Sequence, residues 1–412
     1  MKAAFSKINI TPNLPVRLSG FGMIREANEV LDPVYARINY FKGNEEYLWI
    51  QFDLCGVDNE LIDLVKEKTQ INNCLLSATH THSGPCGTLN TKNGTLKGLD
   101  AVFGFYNEEY VEWISECIKE EVNKCRENAE DVKVRISKGK VTDLGSDRHD
   151  NSYGDDDALC LEFKTNTSKA MIVRLACHPT VMNASNLMIS ADFCGEIEKN
   201  LDYDMVSYVN GSCGDISTRF TRLGNGIEEK ERIGRVVSKQ IKDILNHEND
   251  YEDLELKYIH KVFNLDTKKV DSVEEALIKL EEAKKNLQKA IEKGLTAKEI
   301  RVMESFVEGA QNNLLSATSL GNIQSLPLSV SALNVNGQLI IFTPVELFSK
   351  LSNPFKEKDK IEFVGYTNGY LLYMPNSIAY DKNYYESFSS PFKQGSAEIF
   401  MEEVVNWAKE IM

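Results

Sequence analysis

Apolar positions along this chain follow two rhythms, and their alternation predicts the architecture. Short continuous or alternating runs at Tyr35 to Phe41, Tyr47 to Phe52, Val132 to Gly139, Ala158 to Phe163, Met171 to Cys177, Met205 to Val209, Leu254 to Phe263, Leu326 to Val335 and Gln338 to Phe342 read as strands. A period of about 3.6 residues marks helices at Glu60 to Lys68, Phe105 to Glu127 and Ile227 to Leu245, with Val111, Ile114, Ile118 and Val122 sharing one face of the second. Ser396 to Met412 reads as a terminal helix. Asn336-Gly337, between the last two strands, is the pair a tight hairpin turn favours. Residues 272 to 318 differ in kind: two charged helical stretches are separated by a stop at Gly294 and an N-capping Thr296, and they read as an inserted helical hairpin. Their charges suit solvated faces, because two short helices lack the sustained heptads of a coiled coil. The prediction is an α/β protein, with mixed β-sheets flanked by helices, in which residues 1–412 form one domain carrying the hairpin at 272–318.

The polar residues with most chemical capacity sit where the apolar runs stop. Cys74 to Leu76 leads into His80 and His82 before the turn Ser83-Gly84-Pro85; the run ending at Cys177 meets His178-Pro179; Met205 to Val209 runs into Asn210 to Ser217; and the run ending at Phe342 reaches Glu346. Strand ends commonly carry catalytic groups in open α/β sheets. In a strand, residues two apart share a face, so His80 and His82 are expected to point into one cleft. Two or three histidines and a glutamate form the ligand set of a catalytic zinc, with one position left open for substrate. The tyrosine-dense tail, Phe363 to Tyr385, and the turn holding Ser217 add hydroxyls.

A net charge of -15 argues against nucleic acid or an anionic membrane as partner, since both require basic surface. Nine cysteines without CxxC spacing suit a reducing compartment. The N-terminus has no signal-like apolar core, and no apolar run approaches the roughly 18 residues of a membrane span. The expectation is a cytoplasmic protein.

The segments SATHTHSGP, ACHPT, NGSCGDIST, PVELF and TNGYLLYMPNSIAY, in this order, resemble the catalytic domain of the neutral, non-lysosomal ceramidase family. The resemblance implies a zinc amidase that cleaves an N-acyl bond, with one zinc per chain held by two histidines, a glutamate and a tyrosine. Matched by motif, it implies His80, His178, Glu346 and Tyr373 as ligands, with Tyr370 the rival for the last place. It further implies His82 facing the substrate, Ser217 in the attack on the amide, and Arg148 on the scissile carbonyl. Asp215, two residues before the serine, reads as a partner that orients a histidine or a water.

Secreted members of that family carry a signal peptide, long insertions and a C-terminal immunoglobulin-like domain; none is visible here, which implies a compact bacterial-type member. The substrate class implied is ceramide-like or a more soluble N-acyl compound, with the hairpin overhanging the cleft. Two other readings compete: a zinc esterase or other metallohydrolase that attacks with water and uses Ser217 only to orient, and a pseudoenzyme that binds a ligand.

Overall fold

The computed structural model describes residues 1–152, 154–245, 250–295, 297–321 and 323–412. Three β-sheets organise it. The first contains β1 (Lys2–Asn9), β2 (Tyr35–Lys42), β3 (Glu46–Phe52) and β4 (Asn73–Ala78), in the order β4-β3-β2-β1, with Glu130–Asp131 beyond β1. The second contains β5 (Lys133–Lys140), β6 (Asp157–Lys164), β7 (Lys169–Leu175) and β8 (Met205–Asn210), in the order β8-β7-β6-β5 and edged by Glu252–Asp253. The third runs β9 (Leu256–Asp266), β10 (Ser325–Val335), β11 (Gln338–Phe342), then Glu362–Val364. The last of these is β13, because the short strand β12 (Glu346–Leu347) precedes it and pairs instead with β14 (Tyr373–Met374).

The three sheets share one inner core. Phe41, Trp49 and Leu75 from the first meet Leu161, Phe163, Ile172 and Val209 from the second, and Ile340, Phe342 and Val364 from the third. Burying each of these side chains contributes about 1.5–3 kcal/mol. Helices cover the outer faces: α1 (Asn59–Thr69) and α2 (Glu108–Asn128) the first, α3 (Asp192–Lys199) and α4 (Ile227–Leu245) the second. As the 3.6-residue period predicts, Val111, Ile114, Ile118 and Val122 of α2 are all buried. On the third sheet the covering helix is α8 (Ser396–Ala408).

Each sheet contains one parallel pair: β3 with β4, β7 with β8, and β11 with β13. The chain segments that follow β4, β7, β8 and β11 hold His80, His178, Ser217 and Glu346, so packing three sheets on one core brings these segments together.

The charged segment forms the expected hairpin of α5 (Val273–Glu292) and α6 (Ala297–Leu320), opened by a Ser272–Glu275 capping box. Thr296, the expected cap of the second helix, lies outside the described residues. The end of α6 is not a free arm, since Ala317 and Leu320 are buried. Asn336 and Gly337 have φ of 45° and 87°, the left-handed pair of a type I′ turn.

One strand ends earlier than the sequence predicts, and three further elements, β1, α3 and α7 (Ser349–Asp359), are ones it does not predict. β7 ends at Leu175 rather than Cys177, because the Asn210 side chain takes over the Cys177 backbone, accepting from its N–H at 3.1 Å and donating to its carbonyl at 3.1 Å. Strand β1 has no regular alternation of burial, and α3 is only eight residues long. Helix α7 tolerates Pro354 in its interior. Among the described residues, no helix is long and apolar enough to cross a membrane.

Candidate functional site

Strand β4 stops at Ala78, and His80 then adopts φ of 67°, a left-handed conformation unusual for histidine. Strand alternation is therefore not what aligns His80 with His82; the turn is. The imidazole of His80 is fixed from behind by the Cys55 carbonyl, 2.7 Å from Nδ1. His178 is fixed the same way, its Nδ1 2.7 Å from the Cys213 carbonyl and 3.0 Å from that of Ile216. A carbonyl accepts, so both rings carry the proton on Nδ1, and each Nε2 is left facing Glu346. Glu346 Oε2 lies 2.9 Å from His178 Nε2 and 3.6 Å from His80 Nε2. The ligand atoms of the three residues lie within 4.8 Å of one another, and all three side chains are buried. Two imidazoles anchored through Nδ1 and a carboxylate, converging on one point, fit a divalent metal of the zinc type.

His82 closes one side, its Nε2 3.1 Å from that of His80, while its buried Nδ1 has no hydrogen-bond partner among the described residues. Its ring leaves no room beside Gly20, where a Cβ would stand 2.4 Å from His82 Cγ.

The tyrosines divide their work. Tyr370 donates its hydroxyl to Glu346 Oε1, leaving Oε2 toward the histidines. Tyr373 stacks parallel to His178, centroids 6.3 Å apart, and the Arg148 guanidinium lies 5.3 Å from its ring centre. Tyr366, which sequence reasoning missed, stacks on His80 at 4.2 Å and places its hydroxyl 3.1 Å from Cys213 Sγ. Its only sequence signal is the tyrosine density; the left-handed Tyr366, Asn368 and Leu372 that turn these side chains inward cannot be read from residue type.

The Asn210 to Ser217 loop passes directly behind Glu346. Gly214 donates its N–H to Leu347 O at 2.9 Å, and a Cβ there would meet the Glu346 carbonyl at 2.5 Å, so this position requires glycine. Asp215 has a partner the sequence reading did not name. Its carboxylate accepts from Ser349 N at 2.7 Å and Ser349 Oγ at 2.9 Å, so it secures the start of α7, and among the described residues no histidine hydrogen-bonds to it. Burial raises its pKa to about 6, although those bonds pull it down. Ser217 forms a backbone bridge to His178 and pairs with Ser146, and its Oγ accepts from Arg219 N at 3.4 Å.

Arg148, partly buried, lies between Gly214 O, 2.5 Å from Nη2, and Glu386 Oε1, 2.7 Å from Nε. Glu386 and His149 were also missed. His149 bridges Asp147 Oδ1 at 2.8 Å and Glu386 Oε2 at 2.9 Å. Burial disfavours a charge on His149, but the hydrogen bonds to Asp147 and Glu386 outweigh it and raise its pKa to about 9. A folded value above the unfolded one adds stability that is complete below about pH 6.5 and lost as pH rises through the folded value. The melting temperature should therefore fall between about pH 6.5 and pH 9, and His149→Gln should flatten that fall. An equally steep fall in the variant would assign the effect to another group.

Electrostatics at the cluster favour one charged imidazole among the three. Burial lowers the His80 pKa to about 4, and burial with the neighbouring His80 and His178 lowers that of His82 further. Burial also opposes a charge on His178, yet Cys213 and the bond to Glu346 raise it to about 10. Glu346 is held down at about 2, its burial overcome by His80 and His178. A metal cation would replace the His178 proton, so its uptake releases a proton.

Above the cluster opens a cavity of about 560 Å³ whose floor is His80, His82, Glu346, Tyr370 and Tyr373. One wall is apolar, with Leu99, Val102 and Phe103; another is the C-terminal half of α6, including Leu315 and Ser319; a third is Tyr385 with Phe388. The hairpin thus overhangs the cleft, as expected. Ser217, Arg148, Asp215 and His178 are not among the lining residues.

Residues 34–208 match the family model described as neutral/alkaline non-lysosomal ceramidase, N-terminal. The whole chain superposes on a crystal structure of neutral ceramidase from Pseudomonas aeruginosa, with a TM-score of 0.76, 16% identity and 74% of that chain covered. It also superposes on a ceramidase complexed with C2, with a TM-score of 0.73, 13% identity and 75% coverage of that chain. The chain therefore resembles the neutral/alkaline non-lysosomal ceramidase family in sequence over residues 34–208 and in fold over its entire length.

Proposed function

We propose that this protein is a zinc-dependent amidohydrolase that cleaves an N-acyl amide, either ceramide itself or a more soluble relative. The observation that carries this reading is the convergence of His80 Nε2, His178 Nε2 and Glu346 Oε2, with His80 and Glu346 at the floor of a largely apolar cavity and each ligand held from behind. His80, His178 and Glu346 hold one zinc per chain, with Tyr373 as the fourth ligand. Tyr370 suits that place less, because its hydroxyl is already engaged on Glu346 Oε1. When bound, zinc supplies a Lewis acid for the acyl carbonyl oxygen.

The chain's own residues do the rest. Arg148 donates to the carbonyl oxygen, where negative charge grows as the amide is attacked. His82, kept neutral by burial and lining the cavity, positions the substrate. Ser217 brings its hydroxyl to the acyl carbon, as nucleophile or as the group that orients water. Hydrolysis breaks the amide C–N bond; the acyl carbon gains a hydroxyl from water and the leaving amine gains the proton. An acyl chain would lie along Leu99, Val102 and Phe103.

Titrating the purified protein with zinc, then screening N-acyl amides and the matching esters for release of acid with and without chelator, tests the proposal. Chelator-sensitive cleavage of amides is expected. Cleavage of esters alone would point to the esterase reading, and zinc binding without turnover of either class to a ligand-binding pseudoenzyme.

A further inference from the structure

The proposed reaction leaves unexplained a chain of alternating charge that runs from Arg148 through the buried Glu386 and Asp147 to Lys350, whose side chain is 40% exposed. Its links are Arg148 Nε to Glu386 Oε1 at 2.7 Å, Glu386 Oε2 to His149 Nε2 at 2.9 Å, His149 Nδ1 to Asp147 Oδ1 at 2.8 Å, and Asp147 Oδ2 to Lys350 Nζ at 2.5 Å. Glu386 is only 2% exposed and belongs to the short helix Tyr385–Ser389, whose Tyr385, Phe388 and Ser389 line the cavity. His149 stacks on Tyr384 of the same segment, centroids 3.9 Å apart and rings within 5° of parallel.

We propose that Glu386 is a positioning residue: its carboxylate ties this cavity wall to Arg148 and holds the guanidinium in the orientation that meets the substrate carbonyl. The guanidinium is oriented by three neighbours: the Gly214 carbonyl on Nη2, the Tyr373 ring 5.3 Å from its carbon, and the Glu386 carboxylate, an ionic partner 2.7 Å from Nε. Without Glu386 the guanidinium keeps the Gly214 carbonyl and the Tyr373 ring but loses its anionic partner on the Nε side, and it can tilt toward the space the carboxylate filled. The inference rests on the proposed role of Arg148, yet it concerns coupling between two named residues and can be read separately from amide cleavage.

The test is a double-mutant cycle in the full-length, zinc-loaded protein with Glu386→Gln and Arg148→Lys, followed in two ways. The first readout is turnover of an N-acyl amide from the screen; the second is calorimetric binding of dodecanoate, whose carboxylate offers Arg148 the same oxygen. Glu386→Gln should lower kcat roughly tenfold to a hundredfold with KM within about threefold, and weaken dodecanoate about tenfold, at unchanged zinc content. In the Arg148→Lys background the same change should cost no more than about twofold in either readout, since a residue acting through Arg148 has nothing left to position. Full additivity would overturn the proposal and leave Glu386 a structural ion. Should Glu386→Gln not fold, His149→Asn completes the same cycle one link further out. If no amide is cleaved, the proposed function fails while the dodecanoate cycle still reports the coupling; absence of dodecanoate binding by the wild type would overturn the inference itself.

Discussion

Replacing His178 by alanine is expected to empty the centre of metal and abolish activity, and His80→Ala should do the same. Each histidine supplies one Nε2, held in place by a backbone carbonyl on Nδ1, so alanine removes a ligand whose orientation is fixed in advance. Zinc affinity should fall by roughly a hundredfold or more, beyond the usual effect of losing an outer hydrogen bond to a ligand. Metal content of the purified variants, with melting curves at increasing zinc, measures this directly. Wild-type protein should be stabilised by zinc, because a ligand that binds only the folded state raises the melting temperature. Neither variant should respond. Full zinc occupancy in both would remove the assignment of this cluster as the metal centre.

Ser217→Ala should give the second large effect, a fall in kcat of about a hundredfold or more with little change in KM. Metal content should not change, for a structural reason: the carbonyls that anchor His178 belong to the backbone of Cys213 and Ile216, and Ser217 lies in extended conformation with φ of -150° that alanine adopts freely. The variant thus removes a hydroxyl and leaves the ligand frame in place. An acyl-serine trapped with a slow amide would assign direct attack, whereas solvent oxygen entering the acid without such an intermediate would assign water. Near-normal turnover would exclude both roles, leaving Ser217 as the residue that accepts from Arg219 N.

The two experiments separate holding the metal from doing the chemistry. Both leave the three-sheet core untouched, since no helix or strand loses a buried apolar side chain.

The sequence by itself determined the strands and most helices, because those depend on local periodicity: the apolar runs that end before His80 and Glu346 had to be buried strands whichever sheet they joined. It also exposed the ligand types, since histidine, glutamate and tyrosine at strand ends signal chemistry wherever the strands lie. Only the tertiary structure decided what those residues face. His80 and His82 meet through a left-handed turn, not through strand alternation. Asp215, two residues from the serine, is spent on capping α7 from more than a hundred residues away in sequence, and no local pattern reveals a partner at that separation. Glu386 and His149 were invisible for the same reason: a carboxylate in a short surface-like segment reads as solvated until packing buries it against Arg148. Hydrogen-bond partners distant in sequence are selected by how three sheets pack on one core, and that packing is a property of the whole chain.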